Sequence, residues 1–322
     1  MKILAYVHGY FPNHNAGAEA MLHQILFDLK ARGHEVAVIT KNPGAEEYED
    51  IPIYNATGGT SAKEVELIRW CDIIFTHLDF TRIAVSLAKR YKKYVAHLVH
   101  NDKQLAYNRI FDTGSASLAI ANSEWIKKTV KRGIPSTVVN PPTKPERYSV
   151  KTTKEYITLI NMNEAKGGKL FWELARIMPD RQFLGVKGAY GEQIEFDRKL
   201  DNVTILDNTP EIQDIYAKTN ILLVPSHYES WGRVAIEASC SGIPVIASPT
   251  PGLQESLGES GIFANPNSVA DWVEAIRSLD DEKLYKKKSK QVKDRSVQLA
   301  NNFDIQMDIL ENKLISILGL VD

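Results

Sequence analysis

The sequence has little cysteine: two residues, Cys71 and Cys240, in 322. Two isolated thiols make neither a disulfide framework nor a metal site, and a reducing cytoplasm suits them, with both expected buried. Charge of one sign is also missing. The 39 basic and 40 acidic residues leave a net charge of -1. No global field draws the chain to nucleic acid, so a nucleic-acid partner is not expected. No run approaches the roughly 20 apolar residues of a membrane span. The opening stretch Ile3–Val7 is apolar for too few residues to be a signal peptide and reads as a strand. No Asp-x-Asp pair stands at a strand end to suit a divalent ion. Internal repeats and low-complexity tracts are absent as well.

What is present is alternation. Ile3–Val7, Val36–Thr40, Ile73–Thr76, Tyr94–Val99 and Leu118–Ala121 are short and apolar on both faces, as parallel strands covered by helices must be. Between the first two, Leu22, Ile25, Leu26 and Leu29 repeat at helical spacing and Gly33 supplies the stop. The order is a βαβ unit. The stretch Asn140-Pro141-Pro142-Thr143-Lys144-Pro145 breaks the pattern, and a linker is expected to run to about Val150. Alternation then restarts, with strands expected at Tyr156–Ile160, Gln182–Val186, Val203–Leu206, Ile221–Val224, Pro244–Ala247 and Gly261–Ala264. Helices are expected around Lys169–Ile177, Ile212–Lys218, Arg233–Ser241 and Val269–Leu279. The fold class is α/β, with two Rossmann-like, doubly wound parallel-sheet domains facing a cleft, spanning 1–148 and 149–302. A polar helical tail leads to Ile305–Leu318, where Ile305, Ile309, Leu310, Leu314 and Ile317 are expected to share one face. The helix over 303–322 would cross back to the first domain.

The stretch richest in chemistry runs from Asn220 to Ser248. A buried strand ends at Pro225, a loop carries Ser226-His227-Tyr228-Glu229-Ser230-Trp231-Gly232, and a helix begins at about Arg233. This arrangement puts the free amides of Gly232, Arg233 and Val234 at a helix N-terminus, which favours anions, on the carboxyl edge of a parallel strand. Glu229 and Glu237 are both expected at this edge, where carboxylates accept from paired sugar hydroxyls. Each alone would read as a loop acid and a helix-face acid.

These residues resemble the Glu-x7-Glu signature of glycosyltransferase family 4, whose fold is GT-B. The match reads Glu229-Ser230-Trp231-Gly232, then Glu237-Ala238, then Gly242-Ile243-Pro244-Val245, with Pro251-Gly252-Leu253-Gln254-Glu255 and Gly261 following. Upstream, Phe11-Pro12 and Gly17-Ala18-Glu19 resemble the glycine loop that approaches the donor phosphate. Asn161-Met162-Asn163-Glu164-Ala165-Lys166-Gly167 resembles the loop that grips the diphosphate. Where many family members carry an arginine, this chain has Met162 or Asn163, so Lys166 is the main cation, with Lys169 or Arg233 as substitutes.

The resemblance implies a retaining transferase that moves a hexose from a nucleotide-diphosphate sugar, UDP-linked by the commonness of such donors, to a sugar, lipid-linked or other hydroxyl acceptor. It implies no cofactor and no essential metal, with donor binding by the second domain and acceptor binding by the first. His100, Lys166 and Glu229 are the expected catalytic groups. Family members carry a histidine near the donor sugar, and of His97 and His100 the strand-end His100 is preferred. Donor contacts are expected from Gly17, Ala18, Asn163, Lys166, Trp231, Gly232, Arg233, Val234 and Glu237, the last on the ribose. Lys187, Gly188, Asn208 and Thr209 resemble the nucleobase loops. Asn122-Ser123-Glu124-Trp125 resembles a further segment at the cleft, or is a helix start capped by Ser123. Basic clusters at Lys89-Arg90, Lys92-Lys93, Lys127-Lys128 and Lys131-Arg132 are solvated faces or a peripheral contact with the inner face of a membrane. A nucleotide-sugar epimerase and a non-catalytic nucleotide-sugar binding subunit are the rival readings.

Overall fold

The computed structural model describes residues 1–14, 16–41, 43–102, 117–130, 133–188, 191–195 and 200–320. The chain divides into two compact units, Met1–Pro142 with Phe303–Asp322, and Thr143–Asn302. Elements are numbered over the described residues.

Unit 1 contains β1 (Lys2–Val7), α1 (Gly17–Ala31), β2 (Glu35–Thr40), β3 (Glu47–Tyr48), β4 (Ile51–Asn55), α2 (Ala62–Trp70), β5 (Ile73–Thr76), α3 (Thr81–Tyr91), β6 (Tyr94–Val99), β7 (Leu118–Ala121), α4 (Glu124–Thr129) and β8 (Ser136–Val138). The sheet order is β3-β4-β2-β1-β5-β6-β7-β8. Its pairs are parallel apart from the short antiparallel β3–β4 ladder, Glu47 opposite Pro52. The strands are apolar on both faces because helices cover both. Ile3, Ala5 and Val7 face α1, where Leu22, Ile25, Leu26 and Leu29 are buried. Leu4 and Tyr6 face the other way, toward Leu67 and Ile68 of α2 and Ala84 and Val85 of α3. Each large apolar side chain so buried contributes about 1.5–3 kcal/mol.

Unit 2 contains α5 (Pro145–Tyr148), β9 (Tyr156–Ile160), α6 (Gly168–Ile177), β10 (Phe183–Val186), β11 (Val203–Leu206), α7 (Ile212–Tyr216), β12 (Thr219–Val224), α8 (Arg233–Cys240), β13 (Val245–Ala247), α9 (Pro251–Leu257), β14 (Ile262–Phe263) and α10 (Val269–Ser278). All six strands pair in parallel in the order β11-β10-β9-β12-β13-β14. One face packs Ile157 and Leu159 on Phe171, Leu174 and the fully buried Trp272. The other packs Leu222 and Val224 on Ala235, Ile236 and Leu253. The stretch read as a linker contains α5, with proline in its first turn, where the missing amide costs nothing. Ser241 ties it to unit 2 by donating to the Tyr148 carbonyl at 2.6 Å.

The polar tail and the final segment form one helix, α11 (Glu282–Leu318). Tyr285 joins the unit 2 core and donates its hydroxyl to the Asn220 carbonyl at 3.1 Å. Met307, Leu310 and Leu314 are fully buried in the unit 1 core. Arg32 fixes this end, donating to Asp308 at 2.6 Å and to Glu311 at 3.0 Å. The face expected for this segment is corrected in part: Ile305 and Ile309 are exposed, 58% and 45%. The buried stripe is centred on Met307, Leu310 and Leu314, which turns Ile305 and Ile309 outward. Both cysteines are free and buried, and burial raises both thiol pKa values, Cys71 to about 12 and Cys240 to about 11.

Candidate functional site

In an open α/β sheet the ligand crevice lies outside the carboxyl ends of the strands, where the strand order reverses. In unit 2 the chain steps from β9 to β10 and β11 on one side, then returns to place β12 and β13 on the other. The switch point is therefore between β9 and β12. The loop after β9 carries Lys166 and the loop after β12 carries Glu229, and the two side chains form an ion pair. Ser226 donates to the same Glu229 oxygen at 2.9 Å. Lys166 is 32% exposed and Glu229 14%, so both side chains are partly open.

Both loops are held by backbone contacts. His227 donates its amide to the Ala165 carbonyl at 3.1 Å. Gly167, at φ +92°, lies so close to Pro225 that a Cβ would stand 2.3 Å from its ring. Asn163 spends its side chain as a cap, accepting from the Lys166 amide at 2.9 Å. On the far side, Gly252 lets α9 approach the Glu229 loop, since a Cβ there would lie 2.4 Å from the Glu229 carbonyl oxygen.

Gly232, buried at φ +87°, turns the chain into α8, and no side chain caps that end. The amides of the first turn, through Arg233 and Val234, therefore head the helix with its positive dipole end. Trp231 is buried, and its indole Nε1 has no hydrogen-bond partner among the described residues.

Glu237 lies on α8. It is 7% exposed, accepts from the Tyr216 hydroxyl at 3.0 Å and pairs with Arg233 at 2.9 Å, one turn back along α8. Burial disfavours the Arg233 cation, but Glu237, Tyr148 and Tyr216 hold its pKa above the usual value. Burial first, and then Glu237, push the Tyr216 phenol well above its ordinary range. Neither substitute for the family's arginine is unengaged: Arg233 is committed to Glu237, and Lys169 is exposed and paired with Glu164.

Beside the switch point lies a cavity of about 440 Å³, lined by Met162, Trp172, Lys187, Ile194, Ile205 and Asp207 among others. Gln193, which sequence reading missed, accepts from the Met162 amide at 2.9 Å and the Gly188 amide at 2.8 Å through one oxygen. Gly188 is held against Asn161, where a Cβ would stand 2.5 Å away. Lys187 lies 3.5 Å from Asp207. Asn208 and Thr209 follow the edge strand β11. Asn208 is exposed, and Thr209 caps the next turn by accepting from the Glu211 amide at 3.0 Å.

In unit 1 the strand order reverses between β1 and β5. Gly17 and Ala18 open α1, whose start has no side-chain cap among the described residues. Glu19 follows, its pKa raised by burial and moderated by its own backbone amide, His14 and His8. His100 directly follows β6, with its Nε2 3.0 Å from Nδ1 of His77, which directly follows β5. His97 points elsewhere: it is buried, 3.1 Å from the Thr81 hydroxyl. Burial, then His100, lowers the His97 pKa to about 3, and burial lowers that of His100 to about 4. Sequence reading missed His77. Its signal was its place, directly after an apolar strand, as His100 directly follows another. Ser123 caps α4, accepting from the Ile126 amide at 3.4 Å.

Among the described residues, no three or more His, Cys, Asp or Glu side chains are grouped to hold a metal ion. No described helix is long and apolar enough to cross a membrane. Of the basic clusters, Lys93 donates to the Arg69 and Cys71 carbonyls at 2.7 Å each, and Lys127 pairs with Glu124. Lys89, Arg90 and Lys92 are exposed, and Lys131-Arg132 lie outside the described residues.

Residues 144–295, nearly all of unit 2, match the family model of glycosyl transferases group 1. The D-inositol 3-phosphate glycosyltransferase of Corynebacterium kroppenstedtii is 39% identical over 74 residues, which is 22% of this chain and 16% of that protein. The glycogen synthase of Mycobacterium tuberculosis (strain H37Rv) is 35% identical over 104 residues, 31% of this chain and 24% of that protein. The chain thus spans less than a quarter of the length of each of these relatives. Among solved structures, that of Anabaena HepE in complex with UDP and glucose is similar along the whole of both chains, with a TM-score of 0.78 at 17% identity. The fold is GT-B: two parallel-sheet α/β units.

Proposed function

We propose that this chain, whose second unit carries the glycosyl transferases group 1 pattern, is a retaining, metal-independent glycosyltransferase. It moves a hexose from a nucleotide-diphosphate sugar, of the UDP-glucose type, to a hydroxyl acceptor. One observation carries the reading: a lysine and a carboxylate paired at the topological switch point of unit 2, the carboxylate on the loop that leads into the uncapped start of α8. An ammonium and a helix N-terminus are what a diphosphate needs, and a carboxylate is what sugar hydroxyls need. The relatives named for glycosyl transfer, and the UDP and glucose in the Anabaena complex, support the same ligand class.

In this reading unit 2 binds the donor and unit 1 the acceptor. Lys166 and the amides of Gly232, Arg233 and Val234 meet the charge that develops on the departing diphosphate. Such a preorganised group is worth about 10²–10³ in rate. Glu229 holds donor-sugar hydroxyls once Lys166 turns to phosphate. Glu237 keeps lone pairs for the ribose hydroxyls while Tyr216 and Arg233 fix its orientation. The cavity beside Lys187 and Gly188 takes the base. Gly17 and Ala18 present amides to phosphate, and His100 meets a sugar hydroxyl. Retention proceeds by attack on the donor face, with donor phosphate assisting deprotonation of the acceptor. Peripheral contact with an anionic membrane falls to the exposed Lys89, Arg90 and Lys92.

A thermal-shift panel of nucleotide sugars tests the reading. A donor at a hundred times its Kd should stabilise the chain by about 2.7 kcal/mol. The best binder is then incubated alone and with sugar acceptors. Transfer or slow hydrolysis is expected, an epimer from donor alone would point to an epimerase, and no binding by any nucleotide sugar would overturn the reading.

A further inference from the structure

We infer that His77 is the positioning residue for His100, fixing through one nitrogen-to-nitrogen hydrogen bond which face of the His100 ring, and which protonation of its outer nitrogen, a sugar hydroxyl meets. This rests on the proposed role of His100 at a sugar.

The two residues stand at the carboxyl ends of adjacent parallel strands, His77 directly after β5 and His100 directly after β6. Nδ1 of His77 and Nε2 of His100 are 3.0 Å apart, with the rings inclined at 64°. His77 is 1% exposed, whereas His100 is partly open. One ring is therefore anchored and the other presented. The anchor is built at a cost: Leu78, next to His77, sits at φ +50° without being glycine, and such strain persists only where the surroundings impose it. The presented residue is fixed from the other side as well, by Asn122 after β7, which donates to the His100 carbonyl at 3.2 Å.

A bond between two imidazoles needs one donor and one acceptor. Burial holds both rings neutral, driving the His77 pKa well below its ordinary value, with His100 and then His97 adding to the effect. Two neutral rings share two protons, so only two arrangements exist. If His77 donates from Nδ1, His100 accepts at Nε2 and carries its own proton on Nδ1, where it donates to a ligand. If His100 donates from Nε2, its Nδ1 is a lone pair that accepts. The tautomer of His77 thus sets whether His100 offers a sugar hydroxyl a donor or an acceptor. The bond also removes the ring flip that would exchange nitrogen for carbon at that point.

The test uses the full chain with ¹⁵N-labelled histidine. Two-bond proton–nitrogen correlation spectra near neutral pH should show His100 as one fixed neutral tautomer. His77→Ala should turn that pattern into averaged tautomers, and His77→Asn, whose amide can still bond, should restore a fixed one in part. In transfer assays His77→Ala should lower kcat about tenfold to a hundredfold, with donor KM within about threefold, as for a misplaced group. Adding His77→Ala to His100→Ala should cost little more, because the first acts through the second. Unchanged His100 signals in His77→Ala, or fully additive losses, overturn the inference. Should His77→Ala fail to fold, the wild-type spectrum still decides, since a freely exchanging His100 ring would refute it. Should no nucleotide sugar be turned over, the proposed function fails while the spectra still judge the pair.

Discussion

Replacing Glu229 by glutamine should make the site bind bare nucleotide diphosphate more tightly and transfer sugar more slowly. Without ligand, Lys166 is neutralised by Glu229, and Ser226 supports the same oxygen at 2.9 Å. Diphosphate must compete with that carboxylate for the ammonium. Two unit charges 4 Å apart interact by about 1 kcal/mol in water and about 4 kcal/mol at the effective dielectric of a protein surface. With Lys166 32% exposed and Glu229 14%, an intermediate figure applies. Releasing the lysine should therefore gain about 2 kcal/mol, or roughly thirtyfold in Kd for UDP.

The sugar moves the other way. A hydroxyl bonded to a carboxylate contributes about 1.5–3 kcal/mol, and one bonded to a neutral amide about 0.5–1.5 kcal/mol. Glu229→Gln should forfeit about 1 kcal/mol of sugar binding, so preference for UDP-sugar over UDP narrows by about fivefold. Titration calorimetry with UDP and with UDP-glucose, on both proteins and at low and high salt, reads all three quantities. The gain for UDP should shrink with salt, because the charges are partly exposed. A variant that binds UDP no tighter than the parent at low salt refutes the idea that Glu229 holds the cation in reserve.

Lys166→Ala should fold normally, as the side chain is a third exposed, and should lose at least about a hundredfold in transfer by coupled assay. Gly252→Ala drives a Cβ to 2.4 Å from the Glu229 carbonyl oxygen, so it should displace that loop, cost about 1–3 kcal/mol in urea denaturation and depress transfer more than Leu253→Met, which adds no backbone clash. Arg233→Ala leaves Glu237 with Tyr216 but without its cation. A quarter of Arg233 is exposed, so the loss should fall below the about 3–5 kcal/mol of a fully buried pair, and Glu237→Gln in the same background should recover part of it. Acidification should destabilise unit 1. The folded pKa values of His77, His97 and His100 lie below their unfolded values, so the unfolded chain binds more protons, and stability is full above about pH 6.5 and lost as pH falls toward about 4. The buried His97 alone should cost up to about 2 kcal/mol between pH 7 and 5, and a urea midpoint flat across that range would contradict the burial of these rings.

The alternation of apolar runs was enough to read two doubly wound sheets, because a strand buried on both faces has no choice of pattern. What escaped was short or polar. The strands β3 and β4 were not singled out, since proline interrupts Ile51-Pro52-Ile53 and Glu47-Tyr48 is too short to show a pattern, and their ladder is joined by the hairpin around Glu49 and Asp50, both at positive φ. The strand β8 holds only Ser136–Val138 and completes the sheet by pairing with β7. The outward turn of Ile305 and Ile309 was hidden because helical spacing alone allowed a wide apolar stripe, and which part of it is buried is settled by Arg32 and His34 gripping Glu311.

The candidate site divides along the same line. Residues that act through backbone position were legible: Gly232 at φ +87° and Gly167 at φ +92° stand where a side chain would strike Leu253 or Pro225, so their place in the pattern is their function. Residues that act through another side chain were not. Tyr216, Gln193, Ser226 and His77 each hold a predicted group in place, and each comes from a different element than the group it holds or from the far end of its loop. For Tyr216 and His77, nothing in local spacing marks such a partner, because the distance along the chain is set by the order of the elements. Glu237 shows the consequence. Its place in the pattern suggested a carboxylate at the same edge as Glu229, and its anchors, the phenol of Tyr216 and the guanidinium of Arg233, are different from those of Glu229. The unit therefore carries two separately anchored carboxylates, one on a displaceable ammonium and one on a fixed guanidinium. Only the first can change partner without leaving a buried charge unpaired, so a donor that reorganises the site should do so at Glu229 and leave Glu237 where it is.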